Sequence, residues 1–188
     1  RDESMGSDRD GRFPAAVHGA RMMSLEKVYS EEELRMFLKQ VRAAAGTAAV
    51  NWVVEPKYDG LAVSATYERG KLVRLATRGD GREGDDVTAN AVAVSGLRRE
   101  LTGSGWPERI EVRGEVFVTF AEFTRVNAAR AEAGETLFAN PRALAAGSLK
   151  LSDVADVKTR GLSVVFYGWG EVRPESGGMA DTHSGFHE

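Results

Sequence analysis

The chain has 188 residues, 42% hydrophobic and 28% charged, with a formal net charge of −3. That is chain enough for one domain with a core, and its slight acidity excludes the strongly basic make-up of an autonomous nucleic-acid binder. No run approaches the ~20 apolar residues of a membrane span, residues 1–12 lack the apolar stretch of a signal peptide, and the absence of cysteine removes disulfides, thiol catalysis and thiolate zinc sites.

In chain order, residues 1–16 mix charge, serine and glycine without periodicity and read as a linker or frayed terminus. Ser30 followed by Glu33 forms a capping box, and Leu34, Phe37, Leu38 and Val41 share one face, predicting a helix over 31–44 that Gly46 ends. The period then falls to two. Trp52 to Glu55, Leu61 to Glu68 and Lys71 to Thr77 read as strands, the last two joined by a tight turn at Arg69-Gly70. A charged, glycine-rich loop covers residues 78–86, and a short helix runs on through Val92.

After a loop over 96–108, Arg109 to Val118 alternates: Ile110, Val112, Val116 and Val118 on one face, Glu111, Arg113, Glu115 and Phe117 on the other. Thr119 and Glu122 open a second capped helix that Gly134 stops, and Asn140-Pro141 opens a third. Leu162 to Tyr167 is a last strand. Hairpins with helices between them predict an α+β fold with antiparallel sheets and flanking helices.

The chemistry centres on Glu55-Pro56-Lys57-Tyr58-Asp59-Gly60. A lysine amine becomes a nucleophile once burial or neighbouring cations lower its pKa, and attack on an α-phosphate would give a covalent phosphoramidate. Asp59 lies two residues on, where a strand would turn it to the same face, and Gly60 admits close backbone approach. Taken alone, Lys-x-Asp-Gly is more readily a surface lysine beside a carboxylate than a nucleophile. The acidic residues of the 78–86 loop argue against direct phosphate contact and favour a shaped turn. His18, His183 and His187 have no partners at metal-ligand spacing, so no metal site is expected among them.

Further segments follow in a fixed order. They are Arg78-Gly79-Asp80-Gly81 with Gly84-Asp85-Asp86, Arg113-Gly114-Glu115-Val116, Phe138-Ala139-Asn140-Pro141-Arg142, and Ala145-Ala146-Gly147-Ser148-Leu149-Lys150. With Lys57-Tyr58-Asp59-Gly60 and the upstream Met23 to Tyr29 stretch, this set resembles the adenylation domain of bacterial NAD-dependent DNA ligase over about residues 17–184. The resemblance implies a nucleotidyltransferase (ATP-grasp-like) fold, incomplete at its C-terminal end. Residues 17–188 would be a partial adenylation domain of a longer enzyme.

By that resemblance Lys57 takes AMP from NAD and releases nicotinamide mononucleotide. Glu55 and the backbone near Ser24 and Leu25 would recognise adenine. Asp59, Gly60, Arg78 and Glu115 would surround ribose and phosphate, and Arg142 and Lys150 would meet nicked duplex DNA. Magnesium would neutralise phosphate charge, and the protein would be a cytoplasmic monomer with no membrane partner.

The sequence departs from the family pattern at Arg21-Met22, where proline is usual. It departs again at Ala143 and Leu144 after Asn-Pro-Arg, and at Lys150, which replaces an arginine and loses its bidentate geometry. Two other readings stay open: a nucleotidyltransferase using ATP or GTP, and a catalytically incomplete nucleotide-binding or interaction module derived from the family.

Overall fold

The computed structural model describes residues 7–9, 11–23, 27–47 and 49–174, which fall into two compact units. The smaller unit is Met23–Lys57. It is built on helix α1, Glu31–Ala45, whose N-cap Ser30 accepts the Glu33 amide at 3.1 Å while the Glu33 carboxylate accepts the Tyr29 amide at 2.6 Å. Gly46, at φ 64°, closes it in the left-handed conformation that glycine adopts without steric penalty. The Phe37 and Trp52 rings lie 6.3 Å apart.

The expected strand from Trp52 to Glu55 is absent: residues 51–59 have no ladder partner. Trp52, Val53 and Val54 have the right composition but do not alternate, and Pro56 removes a donor. Propensity alone does not make a strand without a neighbour to pair with. Lys57 therefore follows irregular backbone.

The larger unit holds the rest of the chain. Its frame is a four-stranded antiparallel sheet in the order β3-β2-β5-β6. Those strands are β2 (Leu61–Glu68), β3 (Lys71–Thr77), β5 (Arg109–Phe117) and β6 (Ser163–Arg173), with β1 (Ala15–Val17) and β4 (Glu83–Asp85) forming a separate two-stranded ladder. The β2–β3 turn is made by Arg69 at φ 48° and Gly70 at φ 79°, the paired positive φ of a tight hairpin.

Register fixes the two faces. Leu61 opposes Val116, Val63 opposes Gly114, Ala65 opposes Val112 and Tyr67 opposes Ile110, all on the core side. Helices cover that side: α2 (Phe120–Glu132), α3 (Pro141–Leu149), α4 (Val154–Lys158) and a 3-10 turn at Thr88–Ala93. Val126, Leu144, Ala145, Leu149 and Val157 join the strand residues in one cluster. Leu144 and Leu149 are fully buried, where truncation to alanine costs about 2–5 kcal/mol.

Three features differ from the sequence reading. The described part of the 1–16 stretch carries structure: Ala15 and Ala16, with Val17, pair with Asp85 to Glu83, and Arg9 bonds Glu83 and Asp85. Helix α4 and strand β4 were not expected. Strand β6 runs six residues past Tyr167, through Gly168 and Gly170. A Cβ at Gly170 would lie 2.8 Å from Arg113 Nη2, so this glycine leaves room for side chains of the neighbouring strand.

Candidate functional site

The second face of the sheet is polar, and its exposure changes along its length. Toward one end Thr66 opposes Glu111 and Ser64 opposes Arg113, and Ser64, Thr66 and Glu111 are all buried. Toward the other end Ala62 opposes Glu115, and both are half-exposed. The buried half lies under the chain between Val17 and Ala20. Glu111 accepts the Gly19 amide at 2.8 Å, Arg113 donates to the Ala20 carbonyl at 2.7 Å, and Arg74 donates to the Val17 carbonyl at 2.8 Å. Arg74 also lies 3.6 Å from the fully buried Glu111 carboxylate.

The half-open end gathers several of the expected residues. Glu115 accepts the Gly60 amide at 3.1 Å. A Cβ on Gly60 would stand 2.1 Å from the Val116 carbonyl oxygen, so only glycine lets the chain enter β2 this close to β5. Asp59 pairs with Arg142 at 3.1 Å, and the Tyr58 ring packs on Phe117 with centroids 4.6 Å apart. Asp59, Gly60, Glu115 and Arg142 are thus brought together where β2 begins. Lys57 and Glu55 belong to the smaller unit, and Ser24 and Leu25 lie outside the described residues.

Arg78 follows β3. Its amide donates to the Ala62 carbonyl at 2.9 Å, and its carbonyl accepts His18 Nε2 at 3.1 Å. Its Nε is buried without a hydrogen-bond partner. The loop beyond is a shaped turn: Asp80 Oδ1 accepts the amides of Arg82 and Glu83 at 2.8 and 3.0 Å. Those two amides hold the Asp80 carboxyl below its usual pKa.

Tyr167 also belongs here and was not singled out from sequence, as does His18, which was weighed there only as a metal ligand. Tyr167 lies at the bulge of the β5–β6 ladder, between the Gly114–Phe166 and Arg113–Gly168 pairs. Burial raises its phenol pKa and the Glu115 charge adds to the rise, while Arg113 and Arg78 oppose it. An aromatic among charged groups on a strand read as core is the signal that would have found it. His18 is buried and its pKa lowered by desolvation; its Nδ1 has no acceptor. Partners some 60 residues away leave no local signal for it.

Lys150 is not at the surface, where a DNA-facing cation would be. Its side chain is 7% exposed, with the ammonium 2.9 Å from Asp85 Oδ2, off the axis of a hydrogen bond, and bonded to the Asp8 backbone carbonyl. Among the described residues no three His, Asp or Glu side chains converge to hold a metal ion. No helix of the described residues is long and apolar enough to cross a membrane.

Residues 10–187 match the family described as the NAD-dependent DNA ligase adenylation domain. DNA ligase 1 of Opitutus terrae is 50% identical over 188 residues, covering 98% of this chain and 28% of that protein. DNA ligase 2 of the same organism is 52% identical over 169 residues, 89% of this chain and 24% of that protein. DNA ligase of Hyphomonas neptunium is 46% identical over 170 residues, again 89% and 24%. The chain thus spans about a quarter of the length of these relatives. With its motifs in family order and its α+β fold of antiparallel sheets and flanking helices, the chain belongs to the NAD-dependent DNA ligase adenylation domain family.

Proposed function

We propose that this domain works within a longer DNA ligase and carries AMP on Lys57. The Lys57 amine attacks the adenosine-side phosphorus of NAD, a P–N bond forms, the pyrophosphate P–O bond breaks, and nicotinamide mononucleotide leaves. The 5′-phosphate of a nick then displaces the lysine to give an adenylated end. The 3′-hydroxyl displaces AMP and seals the strand. Splitting the condensation this way turns one difficult step into displacements with good leaving groups.

The observation that carries this reading is the half-open end of the polar face, where Glu115 accepts the Gly60 amide three residues along the chain from Lys57. Carboxylates there suit ribose hydroxyls, and the Arg78 guanidinium suits phosphate oxygens. The Tyr167 ring offers a flat aromatic face to a purine. Glu55 and the backbone at Ser24 and Leu25 would complete adenine recognition, and Arg142 would face the DNA.

Magnesium would neutralise phosphate charge during these transfers; among the described residues no three His, Asp or Glu side chains converge to hold it. The absence of cysteine accords with a reducing cytoplasm, where the longer ligase would act as a monomer in replication and repair.

Incubating the parent protein with NAD labelled in its AMP half tests the reading. Label should remain covalently bound after denaturation and vanish in a Lys57→Ala variant. Label taken from ATP and not from NAD would overturn it.

A further inference from the structure

We propose that Lys150 is a positioning residue that fixes Arg78 through the two carboxylates bracketing its loop. Asp8 holds one side: its Oδ1 accepts the Thr77 hydroxyl at 2.9 Å and the Gly79 amide at 3.0 Å, the residues immediately before and after Arg78. Asp85 holds the other. Its amide donates to the same Thr77 hydroxyl at 3.1 Å, and its fully buried carboxylate lies beside Lys150.

The Lys150 ammonium sits between them, 2.9 Å from Asp85 and 3.7 Å from Asp8, and also donates to the Asp8 carbonyl. Lys150 therefore pairs with both carboxylates that grip the loop, while Arg9 pairs with Asp85 from its other oxygen. Without it the buried Asp85 carboxylate would keep only its Arg9 pairing, and its charge would face that of the half-buried Asp8 across Thr77 and loosen the loop.

The Lys150 end of α3 is itself anchored. Asn90 Nδ2 donates to the carbonyls of Leu149 and Leu151 at 2.8 and 2.9 Å, one residue to either side of Lys150. The ammonium is thus delivered from a fixed backbone and cannot follow a moving loop. Gly79 and Gly84 tighten the same turn: Cβ atoms there would fall 1.8 Å from the Glu83 carbonyl oxygen and 1.7 Å from the Thr77 carbonyl oxygen. The loop has one tight conformation, and the buried cation holds it.

This inference rests on the reading of Arg78 as a phosphate-side residue of the adenylation site. Its test is self-adenylation of the parent protein from NAD with no DNA present, where a DNA contact cannot matter. Lys150→Met and Asp85→Asn should each raise KM for NAD by about tenfold. Asp85 is fully buried and cannot touch DNA, so its variant carries the test if Lys150→Met fails to fold. In an Arg78→Ala background the second change should add less than about twofold, because residues acting as one unit are not additive.

Wild-type KM in Lys150→Met, with weakened binding to nicked duplex, would overturn the proposal and return Lys150 to the DNA. Effects that multiply with Arg78→Ala would overturn it too, as a general loss of stability. Failure of the wild-type protein to take label from NAD would instead count against the adenylation reading itself.

Discussion

Arg142 Nη1 donates to Asp59 Oδ1 across 3.1 Å, tying the first turn of α3 to the chain entering β2. Two residues expected on different substrates, the adenylate and the DNA, are thus partners of each other. Their side chains are 53% and 76% exposed, so the pair contributes little to stability and is easily exchanged for a ligand phosphate or ribose.

Arg142→Ala should therefore lower the urea unfolding free energy by no more than about 0.5 kcal/mol. In the parent protein it should weaken nicked-DNA binding and reduce the salt dependence by about one counterion. Titrations at several salt concentrations would show this; an unchanged slope would remove Arg142 from the DNA.

Gly60→Ala should destabilise the domain by about 1–3 kcal/mol, because the new methyl meets the Val116 carbonyl at 2.1 Å and the backbone must move. The same substitution at Gly168, which has no neighbour within 4 Å of its Cβ position, should stay within about 0.5 kcal/mol. Paired urea melts of the two variants check the contrast.

Glu111→Leu should cost about 3–5 kcal/mol, since it leaves Arg74 without its buried carboxylate and the Gly19 amide without its acceptor. Hydrogen exchange at Gly19 should accelerate with it. Retained protection of that amide would mean the chain over the polar face is held by other contacts.

His18 sets a pH dependence. Burial lowers its pKa below 6.5, so between the folded pKa and 6.5 the unfolded chain binds more protons and stability rises with pH. The contribution is complete above pH 6.5 and is lost as pH falls toward the folded pKa. Nδ1 has no acceptor, so the added proton also lacks a partner. Unfolding free energies between pH 5 and 7.5 should slope upward in the wild type and more gently in His18→Asn.

Much of this was legible where the signal is local. The N-caps Ser30 and Thr119, the Asn140-Pro141 helix start and the alternation of β5 all appear as read. The polar face of β5 is a different matter. Alternation shows that Glu111, Arg113 and Glu115 share a side, but not that a distant segment buries the first and leaves the last half-open.

Arg142 and Lys150 look alike in sequence as basic residues of one helix. Eight residues at ~100° each leave them about 80° apart around the axis, enough for one to face solvent and the other the interior. Gly170 lies inside β6 because a strand glycine can mark a neighbour's need for space as well as an end, whereas Gly168 has open space around it.

The chain over the polar face also has a kinetic consequence. Lys150 reaches Asp8 across 142 residues and Glu111 reaches Gly19 across 92, whereas the β2–β3 hairpin closes through a two-residue turn. Contacts at such separation form after local ones, because the loop between them must first be closed. During synthesis from the N-terminus the hairpin can form early, but the Arg78 loop lacks its cation until residue 150 has emerged. The face proposed to meet NAD is then late to mature, and a nascent chain stalled before α3 would carry Lys57 with no finished nucleotide site to serve it.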